Sequence, residues 1–227
     1  MMSRKDELFE HVLNHVIIGV VREENADDAW EIAQAYAESG LRVIEVTMTT
    51  PEAVAIVSRL SERYGERGVV IAAGTVRSTD DASAARRAGA EVIVSPHTDR
   101  RVIEYSIEHD LLSVAGAATA TEIIRAWELG AGVIKVYPAG LLGGPEYIRT
   151  VRQPIRGIPM LAGGPVPLEL IDSYLDAGCV ALNLGGSLAG ADLVRAKNWT
   201  EIGRRVTMAI SAVNAWKQQR HSSELVH

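Results

Sequence analysis

A single cysteine, Cys179, stands in a chain of 227 residues. One thiol excludes a disulfide framework and a CxxC metal site. Its neighbours in Ala177-Gly-Cys-Val-Ala181 are apolar, so it reads as a buried structural thiol rather than a nucleophile. Positive charge is also short. Lys and Arg number 23 against 29 Asp and Glu, a formal net charge of −6, which argues against a nucleic-acid partner. No apolar run approaches the length of a membrane span, and the charged residues 1–10 make no signal peptide. These absences lead to the expectation of a soluble cytoplasmic protein with no membrane partner. No GxGxxG follows the first apolar strand, which counts against an open dinucleotide-binding sheet. His97 follows Pro96 at a predicted strand end and is a candidate for the pocket wall. No second His or carboxylate stands at ligand spacing from it, so no metal is expected.

What the chain does have is aliphatic strands at regular intervals. Its 47% hydrophobic content supports a large core, and α/β barrels commonly run to about 250 residues. A repeated phrase organises it: a helix, a glycine near the helix end, a short aliphatic strand, then a polar or Gly/Pro turn. Ala88-Gly-Ala-Glu-Val-Ile-Val-Ser-Pro96, Leu129-Gly-Ala-Gly-Val-Ile-Lys-Val-Tyr-Pro138 and Ala177-Gly-Cys-Val-Ala-Leu-Asn-Leu-Gly185 are three copies. Further strands are predicted at Val16–Val21, Arg42–Thr47, Val69–Ala73, Leu111–Gly116 and Ile158–Gly163. Helix stops fall near Gly40, Gly68, Gly89, Asp110, Gly130, Gly157 and Gly178. The spacing is that of one βα unit, and eight units predict a single (β/α)8 TIM barrel over residues 1–227. A mixed-polarity helix over 3–14 is expected to close the bottom. Pro51 is expected in the first turn of the helix after strand two, a final helix over about 199–219, and a flexible tail over 221–227.

Lys135 lies inside the apolar run Val133-Ile-Lys-Val-Tyr137. Strand side chains alternate, so Val133, Lys135 and Tyr137 share a face. Burial disfavours an ammonium and favours the neutral, nucleophilic amine, which forms a Schiff base with a ketone. A buried lysine neutralised by a carboxylate is the alternative. The same inward parity selects Val43, Glu45 and Thr47 on strand two, Val20 and Arg22 on strand one, and Ala73 and Thr75 on strand three. An acid, a base, a hydroxyl and an amine then meet at the C-terminal mouth, where barrels carry their chemistry. Gly163-Gly164 after strand seven and Gly185-Gly186-Ser187 after strand eight stand where such barrels often bind phosphate.

Val43-Ile-Glu-Val-Thr47, Ala73-Gly-Thr75, Val94-Ser-Pro-His97, Thr119-Ala-Thr-Glu122, Ile134-Lys-Val-Tyr-Pro138, Gly163-Gly164 and Gly185-Gly-Ser187 occur in that order. In this the chain resembles the bacterial 2-keto-3-deoxy-6-phosphogluconate / 4-hydroxy-2-oxoglutarate aldolases, from about Ile17 to the last helix. The resemblance implies a class I aldolase of carbohydrate metabolism, of the Entner–Doudoroff type. Such an enzyme cleaves a 2-keto-3-deoxy sugar acid phosphate to pyruvate and glyceraldehyde 3-phosphate, without metal or cofactor. It implies Lys135 as the imine former, Glu45 as the proton carrier, and Arg22 and Thr75 on the pyruvate carboxylate. Pro96 and Tyr137 would belong to the substrate pocket, with Tyr137 against the pyruvyl methyl where relatives carry Phe. Gly163, Gly164, Gly185, Gly186 and Ser187 would hold the phosphate, and a homotrimer is implied. Four positions depart from the family pattern. Thr49 replaces a carboxylate-binding Arg, Ala162 a Thr, Gly140 a Glu, and Ala115 a Pro. Aldolases for 4-hydroxy-2-oxoglutarate or a galactonate-derived phosphate remain alternatives, as do a sugar-phosphate isomerase or epimerase and a non-catalytic binding barrel.

Overall fold

The computed structural model describes residues 2–224. Eight parallel strands close into a barrel in sequence order: β1 (Ile17–Val21), β2 (Val43–Thr47), β3 (Val70–Gly74), β4 (Val92–Val94), β5 (Leu112–Ala117), β6 (Val133–Val136), β7 (Met160–Ala162) and β8 (Ala181–Leu184). Helix α1 (Arg4–His15) precedes β1. The crossovers use α2 (Ala26–Glu38), α3 (Ala53–Tyr64), α4 (Thr79–Arg87), α5 (Arg100–Glu108), α6 (Ala120–Glu128), α7 (Gly144–Arg152) and α8 (Ile171–Asp176). The short α9 (Ala191–Arg195) and the long α10 (Trp199–Glu224) follow β8. The expected barrel is therefore the fold.

Local chemistry explains the repetition. Ser3, Asn25, Ser78 and Asp99 cap their helices by accepting a backbone N–H, and Thr119 with Glu122 forms a reciprocal capping box. At helix ends, Gly40, Gly89, Gly130 and Gly178 turn the chain into the next strand at positive φ. Asp110 does the same with φ 55 and accepts the Arg4 N–H at 2.9 Å. Its carboxylate therefore ties a turn to α1 where the other units have glycine.

Alternation along the strands divides the core. Ile17, Ile44, Val46, Ile71, Ile93 and Ile134 pack outward against the helices. Ile18, Val43, Val70, Val92, Leu112, Val133 and Ala181 point inward and cluster with Leu8 and Val12 of α1. That helix closes the barrel's lower end, as its position in the chain predicts. The inner cluster is a packed floor, and the C-terminal strand ends above it are left for polar side chains.

Three local expectations need correction. On β3 the inward residues are Ala72 and Gly74, whereas Ala73 packs outward among the helices. Parity counted back from Thr75 fails because Thr75 has φ 55, which breaks the strand's alternation at that residue. Pro51 lies in a turn before α3, whose first residue is Ala53. Finally, α10 continues beyond residue 219 to Glu224, with the Ser222 hydroxyl donating to the Gln218 carbonyl. No Gly or Pro follows Gln219 to stop it. Residues 225–227 of the expected tail lie outside the described residues.

Candidate active site

Three strands carry a polar side chain one inward step above the apolar floor. Val43 is followed by Glu45 on β2, Val133 by Lys135 on β6, and Ala181 by Asn183 on β8. All three are buried: Glu45 is 0% exposed, Asn183 2% and Lys135 7%. The Lys135 Nζ stands 3.7 Å from Glu45 Oε1. Asn183 Nδ2 donates to Glu45 Oε2 at 2.6 Å. The carboxylate thus has one oxygen held and the other facing the amine, and Oε1 takes no hydrogen bond from the protein.

Two glycines make room for these chains. A Cβ at Gly163 would fall 2.6 Å from Lys135 Cε, so any larger residue there would push the lysine stem. A Cβ at Gly74 would collide with the carboxylate of Glu45. Both side chains therefore lie against bare backbone of the next strand, because β2 pairs with β3 and β6 with β7.

Above the pair, Arg22 at the end of β1 reaches two hydroxyls. Its guanidinium donates to Thr75 Oγ1 at 2.9 Å and to Thr49 Oγ1 at 3.2 Å. Thr49 also lies 3.2 Å from Thr47 Oγ1. Thr75 makes this contact from a left-handed backbone, φ 55, and such strain in a non-glycine residue is concentrated at functional sites.

A cavity of about 620 Å³ opens over this group. Lys135, Tyr137 and Asn183 line one part, and Val20, Arg22 and Glu23 another. Gly164, Gly185, Gly186 and Ser187 line it with Pro165, Val166 and Pro167. The turn after β8 is closed by the Leu188 and Ala189 amides on the Gly185 carbonyl. Gly186 and Ser187 therefore sit at the donor-rich opening of a helical turn, a setting that suits an anion. A Cβ at Gly186 would meet nothing within 4 Å.

The family model for KDPG and KHG aldolases matches residues 9–205. The chain belongs to this family. It is 32% identical to the 2-dehydro-3-deoxy-phosphogluconate aldolase of Treponema pallidum over 196 residues, covering 86% of this chain and 92% of that one. A solved structure of native KDPGal superposes with a TM-score of 0.81 at 27% identity, covering 89% of this chain and 96% of that one. A chain of a cube-shaped protein cage, designed by fusing symmetric oligomeric domains, superposes with a TM-score of 0.82 at 26% identity. That match covers 92% of this chain and 75% of the cage chain.

Within this aldolase fold, the candidate residues separate into groups. Lys135, Tyr137, Arg22, Gly164, Gly185, Gly186 and Ser187 line the cavity. Glu45 lies beneath it against the lysine, and Thr75 meets it through Arg22. Gly163 serves the lysine stem. Pro96 is not among the lining residues; its carbonyl lies where a Cβ on Gly116 would be, so the β4 turn packs backbone to backbone against β5. His97 lies off the cavity, with its side chain half exposed and Nε2 3.9 Å from Asp99 Oδ2. Cys179 is buried, and burial pushes its thiol up to about 12, consistent with a structural role.

Asn183 and Glu23 are cavity residues that sequence reasoning passed over. The signal for Asn183 was the one that singled out Lys135, a polar residue in an aliphatic strand. Glu23 follows Arg22 directly, and burial, with Asp28 and Glu24 nearby, raises its carboxyl above the usual range. Parity continued from Val20 and Arg22 turns Glu23 outward, but the strand has ended at Val21 and the alternation no longer holds there.

Proposed function

We propose that this aldolase cleaves 2-keto-3-deoxy-6-phosphogluconate to pyruvate and glyceraldehyde 3-phosphate through an imine on Lys135. The observation that carries this reading is a buried lysine 3.7 Å from a wholly buried carboxylate, at the C-terminal mouth of a barrel. The amine adds to the C2 carbonyl, and the carbinolamine takes up a proton from solvent and loses its hydroxyl as water to give a protonated imine. Glu45 takes the proton of the C4 hydroxyl. As the C3–C4 bond breaks, its electron pair is drawn to the iminium nitrogen, giving an enamine and the free aldehyde. Glu45 then returns a proton to C3, and water hydrolyses the resulting protonated imine to pyruvate and the free amine, with release of a proton to solvent. Arg22, steadied by Thr75 and Thr49, binds the keto-acid carboxylate, and Tyr137 walls the pyruvyl end. Gly164, Gly185, Gly186 and Ser187 receive the phosphate through backbone N–H groups. Pro96 acts indirectly, by shaping the strand-four rim.

We also read the working protein as a cytoplasmic homotrimer with small-molecule partners only. Among the described residues no helix is long and apolar enough to cross a membrane. Similarity to a cage chain built from symmetric oligomeric domains supports the assembly. So do the exposed apolar side chains of Ile107, Ile124 and Trp127.

The deciding experiment is borohydride trapping. Pyruvate with borohydride should inactivate the enzyme and add one pyruvyl-derived mass to Lys135, and Lys135→Ala should abolish both labelling and turnover. Undiminished labelling of Lys135→Ala at another lysine would remove Lys135 from the mechanism. A panel of phosphorylated gluconate- and galactonate-type keto acids with 4-hydroxy-2-oxoglutarate tests the substrate. Equal rates on the unphosphorylated acid would defeat the phosphate assignment.

A further inference from the structure

Asn183 is the least explained polar residue of the core. It occupies an inward site on β8, 2% exposed, in a strand that is otherwise Ala, Leu and Leu. An amide placed there for structure would use both ends, since an unpaired buried polar atom costs about 1–3 kcal/mol. Asn183 uses one. Its Nδ2 donates to Glu45 Oε2 at 2.6 Å, while Oδ1 is buried and without a partner in the protein. The orientation follows from chemistry, because an ionised carboxylate only accepts and must face the NH₂ group.

Glu45 has a corresponding asymmetry. Oε2 is fixed by Asn183, while Oε1 points toward Lys135 Nζ without a hydrogen bond. A proton carrier needs one oxygen free at the reacting centre and a carboxylate that does not rotate. Gly74 leaves the space in which the Glu45 side chain lies but supplies no side chain to hold it. The charged group facing the carboxylate is Lys135 on β6, whereas Arg22 is engaged with the threonines above.

We propose that Asn183 is a positioning residue for the reaction: by holding Oε2 of Glu45 it presents Oε1 to the bound substrate as the single proton-carrying oxygen. This rests on the aldolase reading and deepens it. The inference places the work of Asn183 in proton transfer and leaves imine formation to Lys135.

The test combines a double-mutant cycle with two readouts of pyruvate. Borohydride trapping reports the imine. Exchange of the pyruvate methyl protons in D₂O reports proton transfer at C3. In the wild-type background Asn183→Ala should slow methyl exchange and kcat roughly 10- to 100-fold, the usual range for losing a hydrogen bond to a charged group. KM and the half-saturating pyruvate concentration for trapping should move less than about threefold. In a Glu45→Gln background the same substitution should cost less than about threefold, because the side chain that Asn183 holds no longer carries a proton. Equal losses in both backgrounds would overturn the inference, since Asn183 would then act independently of Glu45.

Asn183→Asp keeps the volume and provides a second arm should the alanine variant fold poorly. It sets two carboxylates side by side, so one holds its proton to higher pH. The acid limb of the kcat profile should move upward by at least one pH unit, and a wild-type profile in this variant would also overturn the inference. If the wild-type enzyme itself fails to trap pyruvate, the aldolase reading falls instead.

Discussion

The two ends of the barrel are built from the same strands and do opposite things. At the lower end, Val43, Val133 and Ala181 join Leu8 and Val12 in a dry, apolar cluster. One inward step higher on those strands stand Glu45, Lys135 and Asn183, with two polar atoms, Glu45 Oε1 and Asn183 Oδ1, left without hydrogen bonds. The lower end satisfies the ordinary rule for a core. The upper end violates it at a cost in stability, and such violations are expected where function requires them. Two residues of strand therefore separate a stability layer from a chemical layer.

The largest effect should come from the carrier of that upper layer. Glu45→Gln keeps the size and the Asn183 neighbour but removes the proposed base, so turnover should fall about 10²–10⁴-fold with the fold intact by circular dichroism. A well-folded, fully active variant would show that the Lys135–Glu45 pair is an ion pair kept for structure.

Next in size is Arg22. Hydrogen bonds to charged groups contribute about 1.5–3 kcal/mol, so Arg22→Ala should raise the pyruvate concentration needed for borohydride inactivation roughly 10- to 150-fold. Arg22→Lys should recover only part, since an ammonium lacks the fork that now spans Thr75 and Thr49. A shift below about twofold for the alanine variant would place the carboxylate anchor elsewhere.

Smaller again is Gly186→Asp. The open space around Gly186 admits the side chain without a clash, which makes the change one of charge. It should raise KM for the phosphorylated keto acid about tenfold, a loss near 1.4 kcal/mol, and leave pyruvate trapping unchanged. Loss of trapping would mean that this turn serves the pyruvyl end as well.

Legibility in the sequence follows the same division. The barrel was readable because every βα unit carries a positive-φ helix stop and an aliphatic run, and α2, α4, α5 and α6 add a capping side chain. Lys135, Glu45 and Arg22 were readable because β1, β2 and β6 alternate regularly into the mouth. Alternation fails at Thr75, where the backbone leaves the strand conformation, and so Ala73 faces outward although Thr75 reaches Arg22. Gly163 resembled half of a phosphate loop, yet its contact is with the Lys135 stem, a neighbour supplied by the pairing of β6 with β7. Asn183 gave the same local signal as Lys135. Its meaning lies in a bond to Glu45, 138 residues away in the chain, which no local pattern contains.

The smallest effect on activity, and the sharpest test of the comparison, is expected at the lower end. Leu8 is 1% exposed and belongs to the inner cluster with Val12, Ile18 and Val43, although it comes from α1 rather than from a strand. Truncating it removes buried methyl groups and leaves a cavity, and such Leu→Ala changes cost about 2–5 kcal/mol. Leu8→Ala should therefore lower the denaturation midpoint substantially. The polar groups of the upper end are held by other contacts: Glu45 by Asn183, Arg22 by Thr75 and Thr49. At a temperature where the variant remains folded, its kcat and KM should stay within about twofold of wild type. Parallel thermal melts and steady-state kinetics decide the matter. If kcat falls in proportion to the lost stability, the floor positions the catalytic layer, and the two ends of the barrel are one functional unit.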